Sequence, residues 1–475
     1  MHSKRSRHWW LFIGLAAAQP LLAALAQTPS GEPPATAATA GGLEAGQALD
    51  LSLPPAETVA PLSAPDSFGD AGAMSLAQAL NRAWRDNPQV LQAMKALEAT
   101  GYDISGARTG YLPYVSYSAA QSRGGSSVID GRSTVVSVVQ PLWSGGSTGA
   151  LVAQAKAKRQ TALADFNNTR LQLGLKTAEA YLNVAASQEL DQQWQKYIAE
   201  LQRLLGVIQR RAKEGAAPQA DVETALARLR QAQSGAEANR AVYEANRAQL
   251  ESLILARPDT VYWPPDNTRL SDEEVSGAGT VGIQGHPVRQ TALAQLAAQD
   301  ASTRQAKAAL WPQVSLQFKH QISGEILDPS NDDVTSLALS YQTDNGLKGF
   351  LAYKAEQQRA ESAQARYQAA IREVDASIRV ARAQRQAALL QIASQEEATR
   401  STSALVDSFI RQFEVGRKTW LEVLNAQREA NEQVLQLVSV RRGFWLANAQ
   451  LALQALYWRR LSDAAPVIEY VGEGP

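Results

Sequence analysis

The sequence predicts a mainly α-helical fold with a small β part: one unit used twice, each copy joining a long antiparallel coiled-coil hairpin to a pair of strands. Three observations lead there. First, the chain matches itself about 200 residues on: Asn87-Pro88, Pro113 and Val115-Ser116 recur as His286-Pro287, Pro312 and Val314-Ser315. The match continues through Gly149 and Gly349, Gly215 and Gly416, and Asp221-Val222 and Glu422-Val423. Second, stretches of about 65 residues keep helical spacing, far beyond an ordinary globular helix, which points to coiled-coil packing. Third, short runs between them alternate apolar and polar residues, the period of a half-buried strand.

At the N-terminus, Lys4, Arg5 and Arg7 precede an apolar run from Trp9 to Leu25, and Ala24-Leu25-Ala26 before Gln27 has the small-residue cleavage pattern. Residues 1–26 are therefore expected to be a secretory signal peptide. Residues 27–73, rich in Ala, Pro, Gly, Thr and Ser, read as a disordered leader. The first repeat is placed at 74–257, a Pro- and Gly-bearing linker at 258–285, the second repeat at 286–461 and a tail at 462–475. Beyond the signal no apolar run approaches the ~20 residues of a membrane helix.

Each repeat opens with a helix whose first turn holds Pro, with Asn87 as cap in the first copy, ending near Arg108 and Lys307. Two strands follow. A long helix then covers 147–214, where Trp194, Ile198, Leu201, Leu205 and Ile208 recur at spacings of three and four, and 347–415 in the second copy. Each rod would be about 100 Å long. After Gly215 or Gly416 the chain turns and returns as another helix.

In the strands, Val314, Leu316 and Phe318 alternate with Gln313, Ser315, Gln317 and Lys319, and Val115 and Tyr117 alternate with Ser116 and Ser118. Pro113 and Pro312 stand at strand starts, where a missing donor is tolerated. Partner strands are expected over 133–141 and 335–341. Strands of about 9 to 11 residues cross a bilayer when tilted. Four strands cannot close a barrel, and an open edge in lipid leaves backbone groups unpaired, so several protomers would have to contribute. The pattern alone also fits a small soluble sheet whose apolar faces are covered by helices.

Chemistry is sparse. Lys plus Arg and Asp plus Glu are equal at 46 each, so no global field selects nucleic acid, and there is no cysteine for a disulfide, a thiolate zinc site or an acylated N-terminus. Only His286 and His320 follow the signal; His286 reads as a helix cap and His320 as a strand end. No phosphate loop, dinucleotide fingerprint or nucleophile elbow occurs, and no enzyme activity or cofactor is expected. Trp143, Trp311 and Trp458 suit a membrane interface, and Trp194 a coiled-coil knob.

Residues 76–121, LAQALNRAWRDNPQVLQAMKALEATGYDISGARTGYLPYVSYSAAQ, resemble the TolC family of outer-membrane efflux and secretion channels. The marks are Asn87-Pro88, Leu112-Pro113-Tyr114-Val115, the stretch QPLWSGG from Gln140 to Gly146, and the second-copy His286-Pro287 and Trp311-Pro312. The likeness spans about Ser75 to Arg460. It implies a homotrimer in the outer membrane of a Gram-negative bacterium, three protomers sharing one twelve-stranded barrel that continues as a periplasmic tunnel. Val115, Tyr117, Val314, Leu316 and Phe318 would then face lipid. A periplasmic adaptor and an inner-membrane ABC or other pump would be the partners, and the absent lipoprotein cysteine favours the secretion-type branch. A non-channel periplasmic structural or adaptor protein is the competing reading, although an adaptor would carry one hairpin rather than two.

The same resemblance places the hairpin tips at the adaptor, with Gly215, Ala216, Gly416 and Thr419 as contacts. Acidic entrance residues carry over to Asp221 and Glu422; a further family carboxylate meets Asn425, and the family's latch Tyr and Arg meet Phe413 and Lys418. Lys418 keeps charge without the forked geometry, and Phe413 lacks the hydroxyl. Read on its own, Thr419-Trp420-Leu421-Glu422 is a capping box, and Asp221 is a first-turn carboxylate favoured by the helix dipole.

Overall fold

The computed structural model describes residues 71–122, 131–323, 333–341, 347–458 and Leu461. The first repeat holds β1 (Ala71–Met74), α1 (Leu76–Asp86), α2 (Pro88–Thr109), β2 (Tyr114–Ser122), β3 (Gly131–Trp143), α3 (Ser147–Lys213) and α4 (Gln219–Ile254). Next come β4 (Pro258–Val261), a short 3-10 turn (Asp266–Thr268) and α5 (Asp272–Gly285). The second repeat continues with α6 (Pro287–Ala308), β5 (Gln313–Ser323), β6 (Asp333–Ser340), α7 (Lys348–Glu414) and α8 (Trp420–Gln454). The duplication is close to residue-exact in the helices: α2 and α6 each have 22 residues, and α3 and α7 each have 67.

Local chemistry sets the ends. Asn87 accepts from the Gln89 amide and His286 from the Val288 amide, each before a Pro that needs no donor. Both long helices stop in a left-handed glycine, Gly215 at φ 75° and Gly416 at φ 74°. The amides that follow close the helix end in a Schellman pattern: Ala216 to Arg211 O (2.7 Å) with Gly215 to Ala212 O (3.1 Å), and Arg417 to Gln412 O (2.8 Å) with Gly416 to Phe413 O (3.0 Å).

The strands form one antiparallel sheet of order β2-β3-β5-β6, so β3 and β5 join the two repeats, and the outer edges of β2 and β6 have no partner within the chain among the described residues. His320 does not end a strand: it lies inside β5, with Nδ1 2.6 Å from Asp333 Oδ1 on β6.

Two segments are more ordered than their composition suggests. Residues 71–73, assigned to the leader, belong to β1, which pairs parallel with β4 through Ala71 and Pro258, Ala73 and Thr260. The Tyr181 hydroxyl lies 2.9 Å from Met74 O and 2.6 Å from Tyr262 O, and burial raises its pKa. The connector carries α5, started by a capping box between Ser271 and Glu274, and is fixed by buried Arg385, which reaches Leu270 O at 2.7 Å and Asn448 Oδ1 at 3.1 Å.

Two apolar clusters hold the helices. The larger gathers α1, the middles of α3 and α7 and the C-terminal parts of α4 and α8, with Leu80, Tyr181, Leu250, Ile254, Ile378 and Phe444 buried. Trp458 packs against this cluster, whereas Trp143, the last residue of β3, and Trp311, just before β5, are exposed. The second lies at the hairpin tips and contains Leu201, Leu205, Ile208, Val222, Phe413, Trp420, Val423 and Leu424. Trp194 packs on it as expected, its ring over Gly235 of α4.

Candidate functional site: strand faces and hairpin tips

The sheet register sorts the strand side chains onto two faces. One row runs Val115, Val138, Phe318, Thr335; the next toward the helices runs Gln140, Leu316, Leu337, followed by Val314 with Leu339. Tyr117, Val136, His320 and Asp333 extend this face the other way. The opposite face carries Ser116, Ser137, Lys319 and Val334 in one row, and Tyr114, Val139, Gln317 and Ser336 in another. Val115, Tyr117, Leu337 and Leu339 are 68% to 70% exposed. A soluble cap would have covered them with helices; here they are left bare. An apolar face of this extent fits lipid or protein rather than water.

At the second tip, Thr419 caps α8 and Glu422 completes the box. The Thr419 Oγ1 accepts from the Glu422 amide at 3.3 Å, while the Thr419 amide and hydroxyl both donate to Glu422 Oε2 at 2.8 Å. Lys418 Nζ donates to Glu422 Oε1 at 2.7 Å and lies 4.3 Å from the centre of the Phe409 ring. The Lys418 hydrogen bond, with those from Thr419, pulls the Glu422 carboxyl down to about 2. Both oxygens are thus engaged within one turn of helix, and Lys418 offsets the charge. Asn425 is exposed one turn further.

The first tip differs. Pro218 precedes α4 and provides no side-chain cap, and the Asp221 carboxylate, half-exposed in the first turn, has no ion-pair partner among the described residues. Gly215, Ala216, Gly416 and Thr419 are all exposed, and nothing lies within 4 Å of a Cβ added at either glycine.

Phe413 is placed otherwise than its family position suggests: it is buried in the tip cluster, 5.3 Å from the Trp420 ring. Two residues outside the sequence-derived set join the hairpins. Trp420 Nε1 donates to Asp221 O at 3.2 Å, and Arg211 donates to Glu414 O at 3.1 Å with its guanidinium 4.5 Å from the Phe413 ring centre. Trp420 gave a signal in the capping box, but its partner is on the other repeat, which spacing does not reveal.

A chain of this architecture has the fold of outer-membrane channel proteins. It aligns with a membrane protein from Pseudomonas aeruginosa at TM-score 0.73 and 17% identity, covering 84% of this chain and 92% of that one. The CmeC outer membrane channel of Campylobacter jejuni gives TM-score 0.69 at 15% identity, over 80% of this chain and 85% of that one. The family model for outer membrane efflux proteins matches residues 79–254 and 283–457, one stretch per repeat, and the protein belongs to that family. Outer membrane efflux protein BepC of Brucella suis biovar 1 (strain 1330) is 22% identical over 388 residues, 79% of this chain and 84% of the relative. The outer membrane is therefore its location, with the helical part in the periplasm, as the resemblance to TolC family channels implied.

Proposed function

We propose that three copies of this chain close a barrel of twelve strands in the outer membrane and extend it as a helical tunnel, the exit duct of a tripartite type I secretion or efflux system. One observation carries this reading: a four-stranded sheet with an apolar face and two open edges. In lipid each unpaired backbone group costs several kcal/mol, so the β2 edge of one copy needs the β6 edge of the next. The tips around Gly215, Ala216, Gly416 and Thr419 are the docking end for a periplasmic adaptor, itself carried by an inner-membrane ABC or other pump. Small exposed residues there permit close approach of partner helices. Asp221 lines the entrance as its charged carboxylate, whereas Glu422 acts mainly with Lys418 and Thr419 to hold the tip; Asn425 lies on the entrance side as a neutral group, and Phe413 supports it from the core.

Purified protein in detergent should hold three chains per particle and conduct in planar bilayers. Asp221→Lys should lower its preference for cations, since acidic rings favour them. Glu422→Lys should have a smaller effect, because the native carboxylate already faces an ammonium. A monomer that stays soluble without detergent would overturn the channel reading; unchanged reversal potentials in Asp221→Lys would remove that residue from the entrance.

A further inference from the structure

The polar face of the sheet carries one charged side chain among its described residues, Lys319 of β5. The register sets it in a row with Ser116, Ser137 and Val334, where the Ser116 and Ser137 hydroxyls lie 2.7 Å apart. Flanking positions on this face are Ser118, Val135 and Gln321 on one side and Tyr114, Val139, Gln317 and Ser336 on the other. None is a carboxylate, and Lys319 is exposed with no ion-pair partner among the described residues. Its neighbour Asp333 points to the opposite, apolar face and is taken up by His320.

Pairing decides which face is the lumen: the Asp333 carboxylate on the apolar face is held by His320 at 2.6 Å, whereas Lys319 has no such partner among the described residues. An unpaired Lys facing lipid near the bilayer centre is strongly disfavoured, whereas a lumen position leaves it hydrated. With Val115, Leu316, Phe318, Leu337 and Leu339 turned to lipid, Lys319 turns to the interior. It lies six residues beyond the strand start at Gln313, about 20 Å along the strand.

We propose that Lys319 is a specificity-determining residue of the barrel lumen: one ammonium from each protomer forms a cationic ring that concentrates anions at the exit. This rests on the trimeric-barrel reading. The favoured solutes are small anions and the acidic stretches of larger exported cargo. The ring stands in series with the Asp221 entrance, which has the opposite sign. Its reach depends on salt. The screening length is about 30 Å in 0.01 M salt and about 3 Å in 1 M, so the field spans the lumen only in dilute electrolyte.

The chain contains no cysteine, so a single introduced thiol reports alone. In planar bilayers with KCl gradients near about 0.01 M, Lys319→Gln and Lys319→Glu should shift the reversal potential progressively toward cation preference. The shift should vanish near about 1 M. Lys319→Cys should react with a membrane-impermeant anionic thiosulfonate and change conductance on labelling, while Phe318→Cys should not react. Conducting trimers whose reversal potential is the same in all three Lys319 forms would overturn the ring, as would labelling at 318 and not at 319. A protein that neither trimerises nor conducts would fail earlier, at the channel reading, and would take the ring with it.

Discussion

Glu422 and His286 both cap helices, and both titrate away from their ordinary ranges for opposite reasons. Glu422 gains hydrogen bonds to its charged form, from Lys418 first and Thr419 next, and is held to about 2. Its contribution is present above the usual carboxylate range and is lost only as pH falls through about 2, so this tip cap survives acidification of the periplasm. Thr419→Ala removes the two hydroxyl bonds and keeps the one from its own amide to Glu422; it should cost about 1 kcal/mol, read as a lower melting temperature of the detergent-solubilised protein. His286 is buried, and burial holds its imidazole down to about 4. Its Nδ1 accepts the Val288 amide at 3.3 Å, so the neutral ring carries its proton on Nε2. Because the folded value lies below the free one, the stabilisation is present above about pH 6.5 and is lost as pH falls through about 4. His286→Asn copies the cap that Asn87 makes in the first repeat and should flatten this acid-side fall in melting temperature. Parallel pH curves for the two proteins would show that His286 does not govern it.

At the scale of elements, α3 and α4 pack closely enough to reverse the usual sign of a glycine substitution. A Cβ at Gly235 would come within 2.7 Å of the Trp194 ring, whereas one at Gly206 meets nothing nearer than 3.9 Å. Gly to Ala in an open helix interior gains about 1 kcal/mol, but overpacking costs about 1 to 3. Gly206→Ala should therefore raise the melting temperature and Gly235→Ala should lower it; a rise in both would mean the Trp194 contact yields easily. These helices were legible in the sequence because their ends are local: Gly215, Gly416 and the Thr419 box announce themselves without knowledge of any partner. Strands β2 and β5 were legible through alternation, while β3 and β6 are less cleanly patterned. What escaped depends on contacts distant in sequence. Helix α5 includes Gly277, Gly279 and Gly282, poor helix formers, yet Gly282 fits against Ile378 and the Ala455 backbone, where a side chain would clash. Strand β1 exists only because β4 lies beside it. Phe413 reads as a place in a latch from its family position and as core from its surroundings, and only the fold decides that its ring turns inward to Trp420.

Across the whole molecule, the two apolar clusters are separated by layers of polar contacts. In the first hairpin Asn239 donates to Ser187 O at 3.1 Å and Asn246 to Ser187 Oγ at 2.9 Å; in the second, Gln395 donates to Gln433 Oε1 at 2.7 Å and Thr399 to Gln433 O at 3.4 Å. Such layers fix register but bury little apolar area, so loss of packing at the tips need not spread to the larger cluster. Trp420 concentrates the tip's cohesion: it is buried, stacks near Phe413 and reaches the opposite hairpin at Asp221 O. Trp420→Phe gives up the cross-hairpin hydrogen bond, about 1 kcal/mol, while Trp420→Ala leaves a cavity costing about 3 to 5. In hydrogen exchange, the alanine variant should lose amide protection over 219–232 and 420–426 and keep it over 444–453; the phenylalanine variant should show a weaker loss confined to the same segments. If protection instead falls evenly along both hairpins, the polar layers transmit the damage and the molecule opens as one cooperative unit, which would rule out independent movement of the tips.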